Sequence, residues 1–440
     1  MNAIPTFVIT SKERTERLEH IWQQFADKTE FNVSVINLID DSKGAIGVWH
    51  TIKHIIQNKI DSNDNFIVIC QDDHQFTDTY SKEMLLNCIV EADNSNADVL
   101  LGGVSWYRTA LGISDNLFLI DRFLGLNFVI IYSRFFERFI KAKFDTKDVV
   151  SYKISELATR KIVMHPFIGM SKEPGYPELI PENNTTDYPL ESFESAAAQM
   201  DLLNKVRRFY QSLPNADIDL TADDYHQIVI PVYIINLPER TERLDHIKKE
   251  FEGKKEFAPI IVEASKHKIG AVGLWNSIVK VINLAIENDD DVIIICEDDH
   301  QFTENYTKEF LLKNILEAHN QGAAVLSCGA CDFGQVVPLS ANRYWVNPLT
   351  GTQFIVVYKN LFQEILKYEF NDMDTADGVI SGLSTSIMLL CPFVSVQKDF
   401  GYSDITREHN EQKGLVSVMF DVTEKRLQEV RAAYINYKYD

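Results

Sequence analysis

A pair of aspartates followed by His-Gln-Phe occurs twice in the chain, each time directly after a short apolar run. The first copy lies in Gln71–Phe76 and the second in Glu297–Phe302. Two carboxylates at the end of a strand suit a hard divalent cation, which prefers oxygen ligands and often shares them with substrate phosphates. The alternative is that the pair ends the strand in solvent or caps the next helix. Retention of the flanking residues favours a site, although a recent duplication would also leave the copies alike.

The spacing of 226 residues between these copies recurs along the chain, for example between Trp49 and Trp275. A period of this length is too long for a solenoid repeat, so we interpret the chain as two whole domains in tandem. The segment between them opens with proline and is rich in Asp and Ala, which is typical of a linker. The predicted boundaries are 1–213 for the first copy, 214–227 for the linker and 228–440 for the second copy.

Composition excludes some classes of function. The net charge of −21 weighs against general nucleic-acid binding, because phosphate neutralisation requires clustered Lys and Arg. The first ten residues lack a basic segment followed by an apolar stretch, and no apolar run approaches the length of a membrane span. We therefore expect neither a signal peptide nor an integral membrane segment. Six cysteines, with Cys328-x-x-Cys331 as the one close pair, are interpreted as reduced core residues of a cytoplasmic protein.

Short apolar runs alternate with helical patterns in both copies. This alternation predicts an α/β fold in which each copy has a mostly parallel sheet flanked by helices. Ligands of such sheets bind at the carboxyl ends of the strands, where the acidic pair would lie. The predicted strands are Thr6–Thr10, Val33–Leu38, Phe66–Cys70, Asp98–Leu101 and Phe128–Tyr132 in copy one, and Val232–Leu237, Ala258–Glu263, Val292–Cys296, Val325–Cys328 and Phe354–Tyr358 in copy two.

Three further groups of residues could take part in binding or catalysis. A glycine turn before a helix could present N–H groups to a diphosphate, or could simply allow close packing. Arginines in the first turn of a charged helix could contact a phosphate, or could pair with neighbouring glutamates. Acids after a later helix could act as a general base, or could lie in a solvated loop. These residues are Gly44, Gly47, Gly270 and Gly273; Arg14, Arg17, Arg240 and Arg243; and Asp148, Asp374 and Asp377.

His74 and His300 directly follow the carboxylates. For these residues we expect a hydrogen bond that orients a ligand rather than direct binding of a metal.

Copy two resembles glycosyltransferase family 25, the family of bacterial lipooligosaccharide galactosyltransferases and collagen galactosyltransferases. Five pieces occur in the family's order, and together they are more specific than any one alone. The pieces are Ile235–Leu237 with Arg240 and Arg243, Gly270–Gly273, Ile295–Asp299, Gly351–Gln353 before the strand at 354, and Gln397 with Ser403–Ile405.

The resemblance implies a GT-A-like fold, a nucleotide-sugar donor that is often UDP-linked, Mn2+ or Mg2+ as the metal, and inversion at the anomeric carbon. It implies metal binding by Asp299 and, in copy one, Asp73. It also points to Asp374 or Asp377, with Asp148 in copy one, as the general base or acceptor-binding acid. The implied donor-binding residues are Asn236, Arg240, Arg243, Gly270, Gly273, Glu297, Asp298, Gly351, Thr352, Gln397 and Ser403, with Arg14, Arg17, Gly44, Gly47, Gln71 and Asp72 in copy one.

Copy one departs further from the family pattern. Gln71 stands in place of Glu297, Leu126 in place of Thr352, and Ser171 in place of Gln397. Copy one therefore either uses a different donor or is a degraded copy that binds acceptor.

The sequence, with this resemblance, predicts a metal-dependent hexosyltransferase that acts on a glycan, lipid-linked or peptide hydroxyl. A subsidiary hypothesis is bifunctionality, with each copy adding a different sugar. One alternative is that one or both copies bind a glycan or nucleotide sugar without turnover. Another is a sugar nucleotidyltransferase, which would need a glycine-rich basic loop that Pro5–Arg14 does not supply.

Overall fold

A computed structural model describes residues 3–11, 15–39, 44–60, 64–172, 192–214, 217–401 and 414–439. The chain forms two compact units, Met1–Lys205 (unit 1) and Val206–Asp440 (unit 2). Within the described ranges, no helix combines the length and the apolar character needed to cross a bilayer.

Unit 1 alternates strands and helices, and the last helix continues past the boundary between the units. Its strands are β1 (Ile4–Thr10), β2 (Phe31–Asn37), β3 (Phe66–Gln71), β4 (His74–Phe76), β5 (Val99–Leu101), β6 (Trp106–Tyr107), β7 (Ala110–Gly112), β8 (Leu117–Ile120), β9 (Phe123–Leu124), β10 (Phe128–Tyr132), β11 (Lys161–Met164) and β12 (Gly169–Ser171). Its helices are α1 (Thr15–Phe25), α2 (Ala45–Asn58), α3 (Lys82–Asn94), α4 (Ser133–Lys141), α5 (Val150–Leu157) and α6 (Phe193–Ser212).

Unit 2 follows a similar order of elements, with one helix before its first strand and two strands where unit 1 has β6 to β9. Its strands are β13 (Ile230–Asn236), β14 (Phe257–Glu263), β15 (Val292–Glu297), β16 (His300–Phe302), β17 (Val325–Ser327), β18 (Asp332–Pro338), β19 (Arg343–Thr350), β20 (Phe354–Tyr358), β21 (Ile387–Leu390) and β22 (Ser395–Gln397). Its helices are α7 (Ala222–Gln227), α8 (Thr241–Phe251), α9 (Gly270–Glu287), α10 (Lys308–Asn320), α11 (Lys359–Lys367), α12 (Ala376–Leu383) and α13 (Leu415–Tyr439). Residues 214–227, predicted as a linker, include α7, and Tyr225 on this helix is buried in the core of unit 2.

The main sheets of the two units have the same strand order. In the described residues of unit 1 the order is β2-β1-β3-β10-β5-β11-β8-β7, and in unit 2 it is β14-β13-β15-β20-β17-β21-β19-β18. Strands β10 and β8, like β20 and β19, run antiparallel to their neighbours, and the other strands of each sheet share one direction. The predicted α/β fold with a mostly parallel sheet in each of two similar units is confirmed.

The central strand β15 explains how the sheet becomes the middle layer of unit 2. On one face of the sheet, Ile293 and Ile295 pack in a core with side chains of α9, α11 and α12. On the other face, Ile294 and Cys296 pack in a second core with side chains of α8 and α10. A strand covered on both faces is apolar at every position. The first polar residue after this run, Glu297, therefore marks the edge of the sheet, where the chain reaches the site.

A buried charged cluster lies on β19, four strands away from β15 in the same sheet. Arg343 on β19 is 2% exposed, donates to Asn314 at 2.8 Å and to Gln321 at 3.1 Å, and also bonds the buried carboxylate of Glu317. In unit 1 the same position is occupied by Leu117. Leu117 pairs with β11 as Arg343 pairs with β21. Unit 1 therefore has a buried apolar residue where unit 2 has the buried arginine.

All six cysteines are buried free thiols, including Cys328 and Cys331. Burial raises the pKa of Cys331 to about 12, with the charge of Glu297 next in effect. The thiols are therefore protonated core residues, as the sequence indicated.

Candidate functional site

The acidic run of unit 2 is held in place by neighbouring elements. Glu297 ends β15, and Asp298 and Asp299 form the turn into β16. Asp298 accepts hydrogen bonds from Asn236 Nδ2 and from Arg243, each at 2.9 Å. Strand β13 and helix α8 supply these donors, so the opening strand and helix of the unit position the first aspartate.

Asp299 shares the same arginine. Its Oδ2 atom accepts from Arg243 at 2.9 Å and from Gln397 Nε2 at 2.8 Å, the latter delivered by β22, which pairs with β16. Its Oδ1 atom is buried and has no hydrogen-bond partner among the described residues. Within the described part of the chain, this carboxylate oxygen is therefore open to a further ligand.

Glu297 is the third acid of the cluster. Thr352 Oγ1 donates to its carboxylate at 2.7 Å. Burial, and then the charge of Asp299, raise the pKa of Glu297 to about 8. Burial also raises the pKa of Asp299, although Arg243 opposes this rise. Two carboxylates thus pair with one buried guanidinium and the third lies next to them in the chain, so an additional positive charge would stabilise their ionised forms.

A cavity of about 450 Å³ opens beside these acids. The three carboxylates and Gln397 line one part of it, and Arg240 and Arg243 line another. The loop from Ser265 to Lys268 and the start of α9 at Gly270 complete the described wall. The cavity lining therefore combines carboxylates that can hold a cation with cationic side chains that can hold an anion, and Arg243 is paired directly with two of these carboxylates.

The acids can supply some of the ligands of a divalent cation, but they do not form a complete metal site by themselves. Among the described residues, no three His, Cys, Asp or Glu side chains are grouped as a metal centre. Asp299 has an unpartnered oxygen, and Glu297 lies beside it with its pKa raised partly by the Asp299 charge. Mg2+ and similar ions are commonly held by one or two carboxylates, with substrate phosphates and water as the other ligands. This donor set matches that pattern.

The glycine turn has a clear packing role. A Cβ atom on Gly273 would lie 2.7 Å from the carbonyl oxygen of Ser265. Ser277 Oγ donates to the Gly273 carbonyl and accepts the Ser265 N–H, both at 2.8 Å. Gly273 thus lets α9 pack closely against the loop. It also lines the cavity, so the packing and binding interpretations are compatible.

Replacing Gly273 with Ala is expected to destabilise unit 2 by about 1–3 kcal/mol, because the loop must move away from the helix. Chemical unfolding in urea measures this change. Gly382, in α12, is the matched control, because a Cβ atom there meets nothing within 4 Å. Gly382→Ala should stabilise the protein by about 0.5 kcal/mol through helix propensity. Equal effects of the two substitutions would contradict the packing role.

The equivalent acids in unit 1 have different surroundings. Asp72 accepts from Thr10 Oγ1 at 2.7 Å and from Arg17 at 3.2 Å. Asp73 is buried, and the Ser171 side chain lies next to it. Burial raises the pKa of Asp73 to about 6, while a hydrogen bond with Ser171 opposes the rise. Arg17 is 26% exposed, whereas Arg243 is 5% exposed.

The remaining predicted residues of unit 1 surround this pair. Gln71 ends β3 and is buried, and the buried Leu126 stands where unit 2 has Thr352. Gly44 has a φ of 77° and precedes α2, and the Gly47 carbonyl accepts from Thr51 at 2.7 Å. Unit 1 therefore keeps the frame of the site but lacks the Thr–Glu contact of unit 2.

The two histidines face the core rather than the carboxylates. The His300 ring stacks on Phe354 with centroids 4.3 Å apart, and its Nδ1 atom lies 2.7 Å from Ser395 Oγ. His74 lies 5.1 Å from the Phe128 ring, and unit 1 has Gly169 at the position of Ser395. No described contact links either ring to the aspartates, and both rings serve packing.

The predicted general-base candidates separate into two groups. Asp374 accepts from the Asn371 N–H at 2.9 Å, and Asp148 accepts from the Asp145 N–H at 3.0 Å. Both therefore close their own loops. Asp377 instead accepts from the Gly351 N–H at 3.0 Å.

Gly351 precedes Thr352, which bonds Glu297, so the backbone connects Asp377 to the acidic cluster. At the position of Asp377, unit 1 has Ser151, the second residue of its helix α5. Unit 1 thus has no carboxylate at this position.

Some candidates are not placed, and others were missed. Arg14 and Ser403 lie outside the described residues. Sequence reasoning missed His246, whose Nε2 donates to the His300 carbonyl at 2.9 Å, and Phe400, whose ring lies 4.9 Å from the Arg243 guanidinium. It also missed the basic loop before Gly270, for which three consecutive basic residues were the available signal.

Comparison with known proteins gives limited similarity. No protein-family model matches the chain, and no curated protein sequence is similar to it. Among solved structures, A197 from STIV has 12% identity, covers 40% of this chain and 87% of its own, and has a TM-score of 0.29.

Two further solved structures are similar to the same extent. Apo UDP-glucose pyrophosphorylase has 13% identity, coverages of 46% of this chain and 82% of its own, and a TM-score of 0.27. The mannosyltransferase PcManGT from Pyrobaculum calidifontis, in complex with GDP-Man and Mn2+, has 12% identity, coverages of 44% and 62%, and a TM-score of 0.27. Similarities of this size carry no information about activity, ligand or mechanism.

Proposed function

We propose that unit 2 is a metal-dependent glycosyltransferase of the GT-A type, related to family 25, which transfers a sugar from a nucleotide-sugar donor to a hydroxyl group. The supporting observation is the cavity that is lined by Glu297, Asp298 and Asp299 together with Arg240 and Arg243. A sugar nucleotide bound with a cation needs both signs of charge, because its pyrophosphate is anionic and its metal is cationic. A UDP-linked donor is the first candidate.

The residues have separate roles in this proposal. Asp299, through its unpartnered oxygen, and Glu297 would hold Mn2+ or Mg2+, and the arginines would hold phosphate oxygens. When bound, the cation would neutralise the charge that develops on the departing diphosphate. Asn236 and Gln397 fix the aspartates, so the acids are positioned before the donor arrives.

The reaction would be a single displacement. The acceptor hydroxyl, on a glycan, a lipid-linked sugar or a peptide, attacks the anomeric carbon from the face opposite the diphosphate. The bond from this carbon to the phosphate oxygen breaks, and a carboxylate takes the hydroxyl proton. Asp377 is the candidate base, because its contact with Gly351 places it near Glu297. Inversion at the anomeric carbon follows from one displacement.

Incubation with a panel of UDP- and GDP-sugars and Mn2+ tests this proposal. We expect release of a nucleoside diphosphate from at least one donor, measured by a coupled diphosphate assay, and an inverted anomeric bond in the product by NMR. Chelation with EDTA should abolish release, and added Mn2+ should restore it. If no donor is bound or hydrolysed, the proposal fails. Formation of a nucleotide sugar from a nucleoside triphosphate would instead identify a nucleotidyltransferase.

Unit 1 is the candidate for a second activity or for binding without turnover. Its Asp72 and Asp73 are both buried, which favours retention of cation binding, but Gln71 and Leu126 stand in place of the Thr–Glu contact. In a bifunctional enzyme, Asp73→Ala and Asp299→Ala would block different steps. Identical effects on every donor would count against two activities.

A further inference from the structure

The loop between β14 and α9 lines the cavity of unit 2 with three consecutive basic residues, Lys266, His267 and Lys268. All three side chains are exposed. Lys266 pairs with Glu239 at 2.9 Å, and both side chains are more than half exposed. An exposed pair of this kind contributes little free energy, so Lys266 can exchange its partner for a phosphate. The loop therefore presents available positive charge to the cavity.

The position of this loop is set on both sides. Before it, the Ala264 N–H donates to the Asn236 carbonyl at 2.9 Å, and the Ser265 N–H donates to Ser277 Oγ at 2.8 Å. After it, α9 begins at Gly270, and Gly273 allows the helix to approach the loop. The basic residues thus lie between two fixed points and line the same cavity as Glu297, Asp298 and Asp299.

Unit 1 has the same frame around the equivalent loop. The Leu38 N–H donates to the Thr10 carbonyl at 3.0 Å, and the Ile39 N–H donates to Thr51 Oγ1 at 3.0 Å. Gly44 precedes α2 as Gly270 begins α9, so the loops have the same length. Because the residues before and after the two loops correspond in structure, each loop residue of unit 2 can be matched to one residue of unit 1.

The residues between these fixed points differ in charge. Unit 2 has Lys266-His267-Lys268, and unit 1 has Asp40-Asp41-Ser42 at the same spacing. Asp40, Asp41 and Ser42 lie outside the described residues, so this comparison is one of sequence. Lys266 corresponds to Asp40, His267 to Asp41 and Lys268 to Ser42. A pyrophosphate that is attracted by the first loop would be repelled by the second.

We propose that Lys266, His267 and Lys268 bind the pyrophosphate of a nucleoside diphosphate and determine which unit accepts the donor. Unit 2 then binds one nucleoside diphosphate per chain, and unit 1 binds none. This assignment rests on the function proposed for unit 2 and adds the residues that select the ligand. It also gives unit 1 a different ligand class, because the segment of its sequence that corresponds to the basic loop carries two acids.

Transfer of the unit 1 loop sequence into unit 2 tests the assignment. The variant K266D/H267D/K268S should bind UDP and GDP, in the presence of Mn2+, about 100-fold more weakly, as expected when two or more charged contacts are lost. Isothermal titration calorimetry measures the affinity and the stoichiometry, and circular dichroism checks the fold. The control K255D/K425D removes the same net charge at exposed positions away from the cavity and should bind as the wild type does.

The outcomes separate this proposal from the one on which it rests. One bound nucleotide per wild-type chain, with loss confined to the loop variant, supports the assignment. A loop variant that binds as tightly as the control, or two nucleotides per wild-type chain, would overturn it while leaving a donor site intact. No binding of either nucleotide by the wild type would overturn the proposed function as well.

Discussion

Replacing Asp299 with Asn is expected to slow the release of nucleoside diphosphate from a sugar donor by about 100- to 1,000-fold. The substitution keeps the size of the side chain and one oxygen, but removes the charge beside the unpartnered Oδ1 atom. Asp298 still accepts from Arg243, so the local fold should persist. Initial rates at saturating donor and Mn2+, with circular dichroism on the same samples, measure the effect.

Asp73→Asn is the matched control, because Asp73 holds the equivalent position in unit 1 and is also buried. If unit 2 alone turns over the donor, this variant should retain the wild-type rate. Equal losses in the two variants would show that both units act on the donor. A loss restricted to Asp73→Asn would place the reaction in unit 1 and contradict our assignment.

Replacing Arg343 with Leu is expected to lower the free energy of unfolding of unit 2 by about 3 kcal/mol or more. Glu317 is 4% exposed. Without the guanidinium, the one described cation that remains paired with it is the partly exposed Lys313, at 3.6 Å. The leucine matches Leu117 of unit 1, which fills the same position in an apolar core. The midpoint of urea unfolding, followed by tryptophan fluorescence, measures the change.

The double variant R343L/E317Q separates charge from packing. Because glutamine carries no charge, it should recover most of the stability lost in R343L. A double variant that is as unstable as R343L would show that the loss comes from poor packing of the leucine. The E317Q single variant should also be destabilised, since it leaves Arg343 without its buried anion.

Much of the fold could be predicted from the sequence because the core strands are long apolar runs. The bounds predicted for β10 and β20 match those in the structure, and those of β15 differ by one residue. The sequence did not predict that β10 runs antiparallel to β3 and β5. The direction of a strand depends on the connection that precedes it and not on the residues of the strand. The short strands β4, β12, β16 and β22 were missed, since two or three residues carry no periodicity and their pairing is tertiary.

The same reasoning holds at the site. The family resemblance implied donor binding by Asn236, Arg243 and Gln397, and this role stays a prediction. The structure shows that all three donate hydrogen bonds to the aspartates, which the sequence did not indicate. The choice between Asp374 and Asp377 was not open to sequence, because it depends on which carboxylate reaches Gly351 across a gap of 26 residues. The contribution of Phe400 likewise depends on a ring packed against Arg243 from a distant segment.

The burial of every cysteine has a practical consequence for following the two units separately. An alkylating reagent modifies a buried thiol only when the surrounding structure opens, so the rate of modification reports the free energy of opening. Cys70 and Cys88 report on unit 1, and Cys296, Cys328, Cys331 and Cys391 report on unit 2. Mass spectrometry of the modified peptides would thus resolve the response of each half of one chain to a ligand, without labels or truncation.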